Sequence, residues 1–590
     1  MDYRRIALFA AFAATSLFLV IKWKSAEDID EQALINAQQT NQSQTNVDTS
    51  FEEVITQSNI VIDTSEDDLG GVTKIAAPEQ VAVIDKVTPN EASIINVQTD
   101  LLNVKIDSQT GDIIYTALNE YSVSLEHSET PVTILNNTDN YFFIAQSYLR
   151  SKRGSPLNID STLFEADKFE YALNEDETLE VKLTYKDQSL VKLTKIYTFY
   201  KNKYIIDVSY EVTNVSNENL FLTLDNRLKR DSSPDPAQKK TSPSFVGFAV
   251  ANEDSIWEKH TFNDLEDEKE DQNLNKKGEF SFNQTVQGGF IAYSQKYFVV
   301  AWVPNQDETQ HQNLGIPVGY KYNFAINKSD EVTVAIGETK TFSSKLWVGP
   351  ELQDQLDELH DGLKHSVDYG IFYIFSKPIH WVLTKIQSVV PNWGWSIILL
   401  TLLVKLLFFP LSAKSMKSMA KMKKLAPKMA QLKERYGDDR QKMSQELMKF
   451  YKKEGINPVS GCLPMLVQMP IWISLYWVLI EAVEIRQMPF MFWVQDLSAA
   501  DPWLVFPVLM GVSMFFQMRM TQSANMDPMQ QKIFKFMPIG MTLFFIIFGM
   551  PAGLMIYWTV NNCLSICQQY LVNKQIDKEE QIAKAEAASK

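Results

Sequence analysis

The stretch Trp393–Leu411, WGWSIILLTLLVKLLFFPL, is almost wholly apolar and long enough to cross a bilayer as a helix. It carries one lysine, Lys405, placed six residues before Leu411. At the helical rise per residue that puts the ammonium about 9 Å inside the nearer end. A charge at that depth costs a few kcal/mol, so such residues face a polar cavity or a partner. The alternative is that Lys405 snorkels its four-carbon stem to the nearer headgroups. The stretch alone leaves both readings open.

The rest of the chain is of two kinds. Mean hydropathy over the 590 residues is only −0.17, as expected when a large polar portion is averaged with apolar spans. Residues 25–370 hold 28 Lys+Arg and 57 Asp+Glu, a net of −29, and the remainder holds 28 and 15, a net of +13; together these give the −16 of the whole chain. Opposite signs point to two compartments. Cys462, Cys563 and Cys567 all fall in C-terminal apolar segments, so no disulfide framework supports the acidic portion.

Residues 1–24 pair Arg4 and Arg5 with an apolar run from Ile6 to Ile21, followed by Lys22 and Lys24. The poor cleavage site makes this an uncleaved signal-anchor with its N-terminus cytoplasmic. Residues 25–88 are rich in Gln, Asn, Ser, Thr, Asp and Glu and read as a disordered linker. Over 89–350 the period changes to two. LEVKLTYKD (Leu179–Asp187), VKLTKIYTFY (Val191–Tyr200) and KYIIDVSYEVTN (Lys203–Asn214) are β-branched and aromatic runs separated by turn residues, which predicts an all-β sandwich. Its charged residues read as a solvated surface, and no motif marks a sugar or peptide site.

Residues 351–392 comprise a polar helix, Glu351–Tyr369, and an amphipathic segment, Ile371–Val390, too polar to span and suited to the membrane interface. After the span 393–411, the segment 412–458 carries 13 Lys+Arg against 5 Asp+Glu, a net of +8. It reads as two helices turning at Tyr436-Gly437-Asp438-Asp439. Met416, Met419, Met422, Leu425, Met429 and Leu432 stripe the first helix, and Met443, Leu447 and Phe450 the second, a pattern that serves packing or an adaptable contact surface. Four more apolar stretches lie within 462–571: Cys462–Val483, Trp503–Met518, Ile533–Phe548 and Gly553–Leu571. The positive-inside bias puts the +8 segment in the cytoplasm, which gives six spans, residues 25–392 outside, and both termini, including the tail 572–590, inside.

Signatures of catalysis are missing from the sequence: it has no GxSxG, Walker loop, HExxH or CxxC pair, and its six histidines are scattered. The chain is therefore expected not to be an enzyme and to need no cofactor or metal. The spans instead carry scattered polar residues. Thr401 precedes Lys405 by four residues, on the same face. Gln468, Ser474, Tyr476, Gln517, Tyr557, Asn561 and Asn562 add others, some of them expected to hold a bundle together by interhelical hydrogen bonds. Lys405, Thr401, Gln468 and Asn561 all fall between mid-bilayer and the cytoplasmic edge, where a water-filled pocket would satisfy them together.

Several long motifs in order give the chain a family likeness. They are KLWVGPE (Lys345–Glu351), NWGWSI (Asn392–Ile397), FPLSAKSMKSMAKM (Phe409–Met422), GCLPMLVQMPIW (Gly461–Trp472), FWVQDLSAADP (Phe492–Pro502), DPMQQKI (Asp527–Ile533) and PAGLMIYWTVNN (Pro551–Asn562). With these the chain resembles the YidC/Oxa/Alb family of membrane protein insertases, in its large Gram-negative form. The resemblance implies a β-supersandwich periplasmic domain, a five-helix insertase core in the bacterial inner membrane, and a hydrophilic groove open to cytoplasm and lipid. It implies that Lys405 takes the place of the family's usual groove arginine. Thr401, Gln468, Met469, Trp472, Tyr476, Tyr557 and Trp558 match positions that line the groove or touch substrate, with Trp558 standing where a tyrosine is more usual. The implied partners are nascent membrane proteins, the Sec translocon, the lipid bilayer, and a ribosome or targeting factor at the basic hairpin, with no direct nucleic-acid contact. In such a mechanism the groove shortens the apolar path for polar flanks, and burial of about twenty apolar residues drives insertion without a nucleotide. The competing readings are a solute transporter, for which no internal repeat is evident, and a membrane-anchored periplasmic binding scaffold.

Overall fold

A computed structural model describes residues 93–588 apart from 152–162, 235–243, 252–255, 266–281, 316–320, 437–439, 455–462 and 522–527. The signal-anchor and linker expected over 1–88 lie outside the described residues. What is described falls into two compact units, residues 93–350 with 354–366, and residues 351–353 with 367–588.

The first unit is a β-sandwich. One sheet of eleven strands runs from Phe282–Gln287 through Leu220–Arg230 and Phe142–Ser151 to Ile94–Gln98 and Glu170–Ala172. The other, of nine, runs from Glu258–His260 through Phe298–Pro304, Thr339–Pro350, Ile205–Asn214 and Val191–Tyr200 to Phe164–Ala166. The alternation seen in the sequence is the alternation of burial. On Ile205–Asn214, the side chains of Ile206, Val208, Tyr210 and Val212 are inside while those between them face outward. Asn202, in the hairpin between Val191–Tyr200 and Ile205–Asn214, has φ of 57°, a left-handed conformation that asparagine tolerates.

The same alternation turns a lysine inward. On Val191–Tyr200 the odd-numbered residues are buried, and Lys195 is among them with no exposed surface. Its Nζ donates across the sandwich to the carbonyls of Gly111 at 2.7 Å and Ser147 at 3.0 Å. The rings of Tyr197 and Tyr210 lie 5.1 and 5.3 Å from it. Nearby, Asp112 accepts from Gln146 and Tyr148. Burial pushes the Lys195 ammonium down to about 7, with Asp112 opposing the shift. Unfolded, the lysine holds its proton up to 10.5, so between these pH values the folded state binds fewer protons than the unfolded one. Stability contributed by this group therefore rises with pH in that window, and below it both states are charged and the penalty is constant. Thermal melts of the purified chain, followed by its β-sheet circular dichroism, should show the sandwich more stable at about pH 9 than at pH 7. Lys195→Met should flatten that slope; an unchanged slope would contradict the assignment.

The polar helix expected over Glu351–Tyr369 is shorter. Helix α1 covers Gln353–Leu359, and a separate 3-10 turn covers Leu363–Ser366. The break has a local and a long-range cause. His360 Nδ1 accepts from the backbone N–H of Gly362, and a Cβ on Gly362 would stand 2.4 Å from the carbonyl oxygen of Ile256. Only glycine permits that approach.

The second unit is helical. Its helices are α2 (Tyr373–Val389), α3 (Trp393–Leu407), α4 (Phe409–Lys424), α5 (Ala426–Tyr436), α6 (Arg440–Lys453), α7 (Leu463–Glu481), α8 (Val505–Thr521), α9 (Pro528–Ile547) and α10 (Ala552–Ala588). Ser376, His380 and Leu383 form the buried face of α2, while Ile374, Phe375, Trp381 and Val389 are exposed, the two-sided pattern the sequence led us to expect. Leu383, Trp393, Ile397, Leu475, Leu479, Leu554 and Met555 are part of one core.

The stretch Trp393–Leu411 is not one straight helix. It bends by 64° between Trp393–Leu407 and Phe409–Met422, and among the described residues no single helix is long and apolar enough to cross a membrane. Pro410 explains the bend: it has no N–H to donate backward and its ring crowds the preceding turn. Lys405 consequently sits in the last turn of α3, closer to a helix end than a span to Leu411 implied, where a cation also meets the negative end of the helix dipole. The other apolar stretches shift too, with α9 beginning at Pro528 and α10 continuing through the tail to Ala588. The expected turn of the basic segment at 437–439 lies outside the described residues. The helices on either side of it touch, with Lys428 Nζ 3.6 Å from a Glu454 carboxylate oxygen and the Tyr451 hydroxyl donating to the Met429 sulfur at 3.9 Å.

Candidate functional site

Three helices of the second unit contribute polar groups at helical spacing. Thr401 and Lys405 are one turn apart on α3. Gln468, Trp472 and Tyr476 follow one another at four-residue steps on α7, and Tyr557, Asn561 and Ser565 do the same on α10. Residues four apart share a face, so each helix presents a short polar or aromatic line.

These lines meet. Lys405 Nζ donates to Ser565 Oγ at 2.8 Å, and that hydroxyl donates to the carbonyl of Asn561 at 2.8 Å. The side-chain amide of Gln468 donates to Asn561 Oδ1 and, at 3.3 Å, to the Tyr557 hydroxyl. A continuous polar seam therefore joins α3, α10 and α7 through otherwise apolar helices. Ser565, Asn561 and Tyr557 are buried, whereas Lys405 and Gln468 remain partly accessible. No carboxylate pairs with Lys405 among the described residues. Its positive charge is held by a neutral hydroxyl, which leaves it free to attract an anionic group.

Aromatic side chains flank the seam. The rings of Trp472 and Trp558 meet edge to face at 5.0 Å, and Phe545 packs on Trp558 at 5.1 Å. The indole N–H of Trp472 is buried without a hydrogen-bond partner in the structure. Tyr476 packs against Trp477, and Met469 is 51% exposed on α7 next to Gln468.

The structure separates the predicted residues into those that join the seam and those that do not. Lys405, Gln468 and Tyr557 join it, with Trp472 and Trp558 beside it. Thr401 does not, since it is buried and its hydroxyl bonds back to the Ile397 carbonyl at 2.7 Å. Asn562 turns to the other side of α10 and donates to Ser513 Oγ on α8 at 3.1 Å, an interhelical tie. Ser565 was not among the expected residues, although its place four residues after Asn561 was the available signal.

Comparison with known proteins bears on both units. Residues 94–382 match the model of the YidC periplasmic domain, and residues 385–580 match that of the 60Kd inner membrane protein. The chain is 41% identical to the membrane protein insertase YidC of Nitrosococcus oceani over 82% of this chain and 86% of that one. It is 38% identical to the Marinobacter nauticus protein of the same name over 98% and 99%. Among solved structures, a crystal structure of an active YidC insertase with its first transmembrane domain resolved covers 81% of this chain at 20% identity and a TM-score of 0.34. A galactose mutarotase related enzyme from Lactobacillus acidophilus covers 43% at 9% identity and a TM-score of 0.28. The two matched models and the two units define an inner-membrane protein with a periplasmic β-domain, a membrane protein insertase and not an enzyme. The chain belongs to the YidC family of membrane protein insertases.

Proposed function

We propose that this insertase receives its substrates along the seam of Lys405, Ser565, Asn561, Gln468 and Tyr557, in a groove opening to the cytoplasm and to lipid. The reading has the chain crossing the membrane six times, with the β-sandwich periplasmic, both termini cytoplasmic, and α4 to α6 forming a basic cytoplasmic hairpin. The observation that carries it is the hydrogen-bonded path from Lys405 through Ser565 and Asn561 to Gln468. Polar groups on membrane-spanning helices mark interhelical ties or a path for a polar passenger, and the partial accessibility of Lys405 and Gln468 favours the passenger. A nascent span arrives with flanking polar residues that hydrocarbon rejects, and the seam gives those residues hydrogen-bond partners while the apolar part slides past Trp472 and Met469 into lipid. Tyr476 and Trp558 shape the same passage, and the methionine-striped hairpin offers the first contact for a nascent chain, ribosome or targeting factor. Action beside the Sec translocon is part of the same reading.

Depletion of the native protein, complemented by a Gln468→Leu/Asn561→Leu double variant, tests it. Insertion of a small single-span substrate should fall severalfold while the variant accumulates normally in the membrane. Full insertion by a stable double variant would remove the seam from the substrate path.

A further inference from the structure

The connection between α7 and α8 contains a second feature that the groove does not use. It holds three non-glycine residues in the left-handed region, Gln487 at φ 57°, Phe492 at 55° and Leu504 at 57°. Such conformations are costly for bulky side chains and persist only where surrounding structure imposes them. Two carboxylates brace the loop that holds them. Asp496 Oδ1 accepts from the backbone N–H groups of Gln487 and Ser498 and from the Ser498 hydroxyl. Asp501 accepts from the Trp493 indole at 2.8 Å and from the backbone N–H groups of Trp503 and Phe506.

This scaffold displays rings outward. Trp493 lies between two others, 6.0 Å from Phe492 with 19° between planes and 5.3 Å from Trp503 with 8°. The outer members are the more exposed, Phe492 at 77% and Trp503 at 68%. A stacked trio held rigid and presented to the outside is not what a water-facing loop requires.

The height of the stack is fixed from two directions. The Asn392 amide, at the start of α3, donates to the Phe490 carbonyl at 3.1 Å, and Phe490 packs edge-on against Trp395 at 5.6 Å. At the start of α10, the N–H groups of Ala552 and Gly553 donate to the carbonyls of Ala499 and Leu497. The stack thus stands at the level where α3 and α10 begin. From it, Leu504, Val508, Val512 and Phe516 run along α8 at four-residue steps, all exposed and apolar. The rings head a stripe suited to acyl chains.

We infer that Phe492, Trp493 and Trp503 form a rigid aromatic anchor seated in the headgroup–acyl boundary of the periplasmic leaflet. The occupant is lipid: the rings continue the lipid-facing stripe of α8, and Trp at both edges of a span prefers that zone. The anchor holds the ends of α3, α8 and α10 at one depth, against which the groove beyond them keeps its register with the bilayer. The inference rests on the six-span reading, which puts these helix ends on the periplasmic side.

The test uses the full chain with Cys462, Cys563 and Cys567 replaced by serine, reconstituted in phosphatidylethanolamine–phosphatidylglycerol vesicles. A nitrobenzoxadiazole label is placed on Trp503→Cys, on Phe492→Cys, or on the exposed Gln495→Cys as reference. The labels at 503 and 492 should emit to the blue of that at 495. They should be quenched by lipids spin-labelled at the headgroup and upper acyl chain more than by lipids labelled deep in the chain, and hardly by iodide. Iodide quenching at 503 and 492 as strong as at 495 would overturn the anchor, as would blue-shifted emission that no spin-labelled lipid quenches, which would mark a protein partner or a second copy. A membrane-impermeant maleimide on Gln495→Cys in intact spheroplasts separates the two readings. Labelling only after permeabilisation would overturn the six-span orientation together with the periplasmic anchor, whereas labelling from outside combined with iodide quenching at 503 would overturn the anchor alone.

Discussion

Lys405→Ala is expected to lower insertion of substrates whose translocated tails carry acidic residues by about tenfold, the effect of losing about 1.4 kcal/mol of attraction in the rate-limiting step. Substrates with uncharged tails should be nearly unaffected. The contrast follows from the pairing of Lys405: its ammonium is held by the Ser565 hydroxyl at 2.8 Å and by no carboxylate among the described residues, so its charge is not already neutralised. Lys405→Arg should retain insertion, because the charge and the reach to Ser565 survive. A guanidinium adds a planar fork that a lysine lacks, so equal or greater activity is expected of the arginine form. The measurement is insertion in depleted cells of two single-span substrates that differ only in tail acidity. Equal losses for both substrates would assign Lys405 to packing.

Gly394→Ala is expected to produce a marked loss of stability. The Cβ it introduces would stand 2.0 Å from the Phe490 ring, with two further Phe490 atoms within 2.8 Å. Phe490 is 9% exposed, backed by Trp395 at 5.6 Å and by Phe506 at 6.4 Å, so the ring has little room to retreat. Overpacking of this kind costs about 1–3 kcal/mol. Phe490→Ala alone destabilises by removing a packed ring, but the Gly394→Ala/Phe490→Ala double variant should be more stable than the sum of the single changes predicts, because the clash partner is gone. Denaturant unfolding in detergent measures all three. Simple additivity would show that the loop and the start of α3 do not meet as described.

How far these features were legible in the sequence depended on how local their causes are. Period-two runs such as Val191–Tyr200 announced the sandwich, and their phase already turned Lys195 inward with Val191, Leu193, Tyr197 and Phe199. Only the facing carbonyls of Gly111 and Ser147, 84 and 48 residues away, explain how a lysine is accommodated there. The bend after Leu407 has a local cause in Pro410, which an apolar run continuing to Leu411 masks. The break at His360 depended on Ile256 approaching Gly362, a long-range contact that no helical pattern encodes. In the seam, Lys405, Gln468 and Tyr557 stood out as polar residues in apolar runs. Ser565 was less conspicuous, and Thr401 stands apart from the seam, because a hydroxyl on a helix can satisfy itself on the preceding turn. The sorting of Asn561 to the seam and Asn562 to Ser513 is a matter of 100° of helical rotation, which becomes readable only when the neighbouring helices are in place.

Site-specific photocrosslinking tests the central claim, that substrates pass along the face of α7 which meets α10. A photoreactive residue is placed in turn at Gln468, Trp472 and Tyr476, and at Ser474 and Trp477 on the opposite side of α7, where the Ser474 carbonyl accepts from Ser376 of α2, and each variant is presented with a ribosome-stalled nascent span. The account predicts adducts to the nascent chain from 468, 472 and 476 and none from 474 or 477. Adducts distributed equally over all five positions, or confined to 474 and 477, would contradict it.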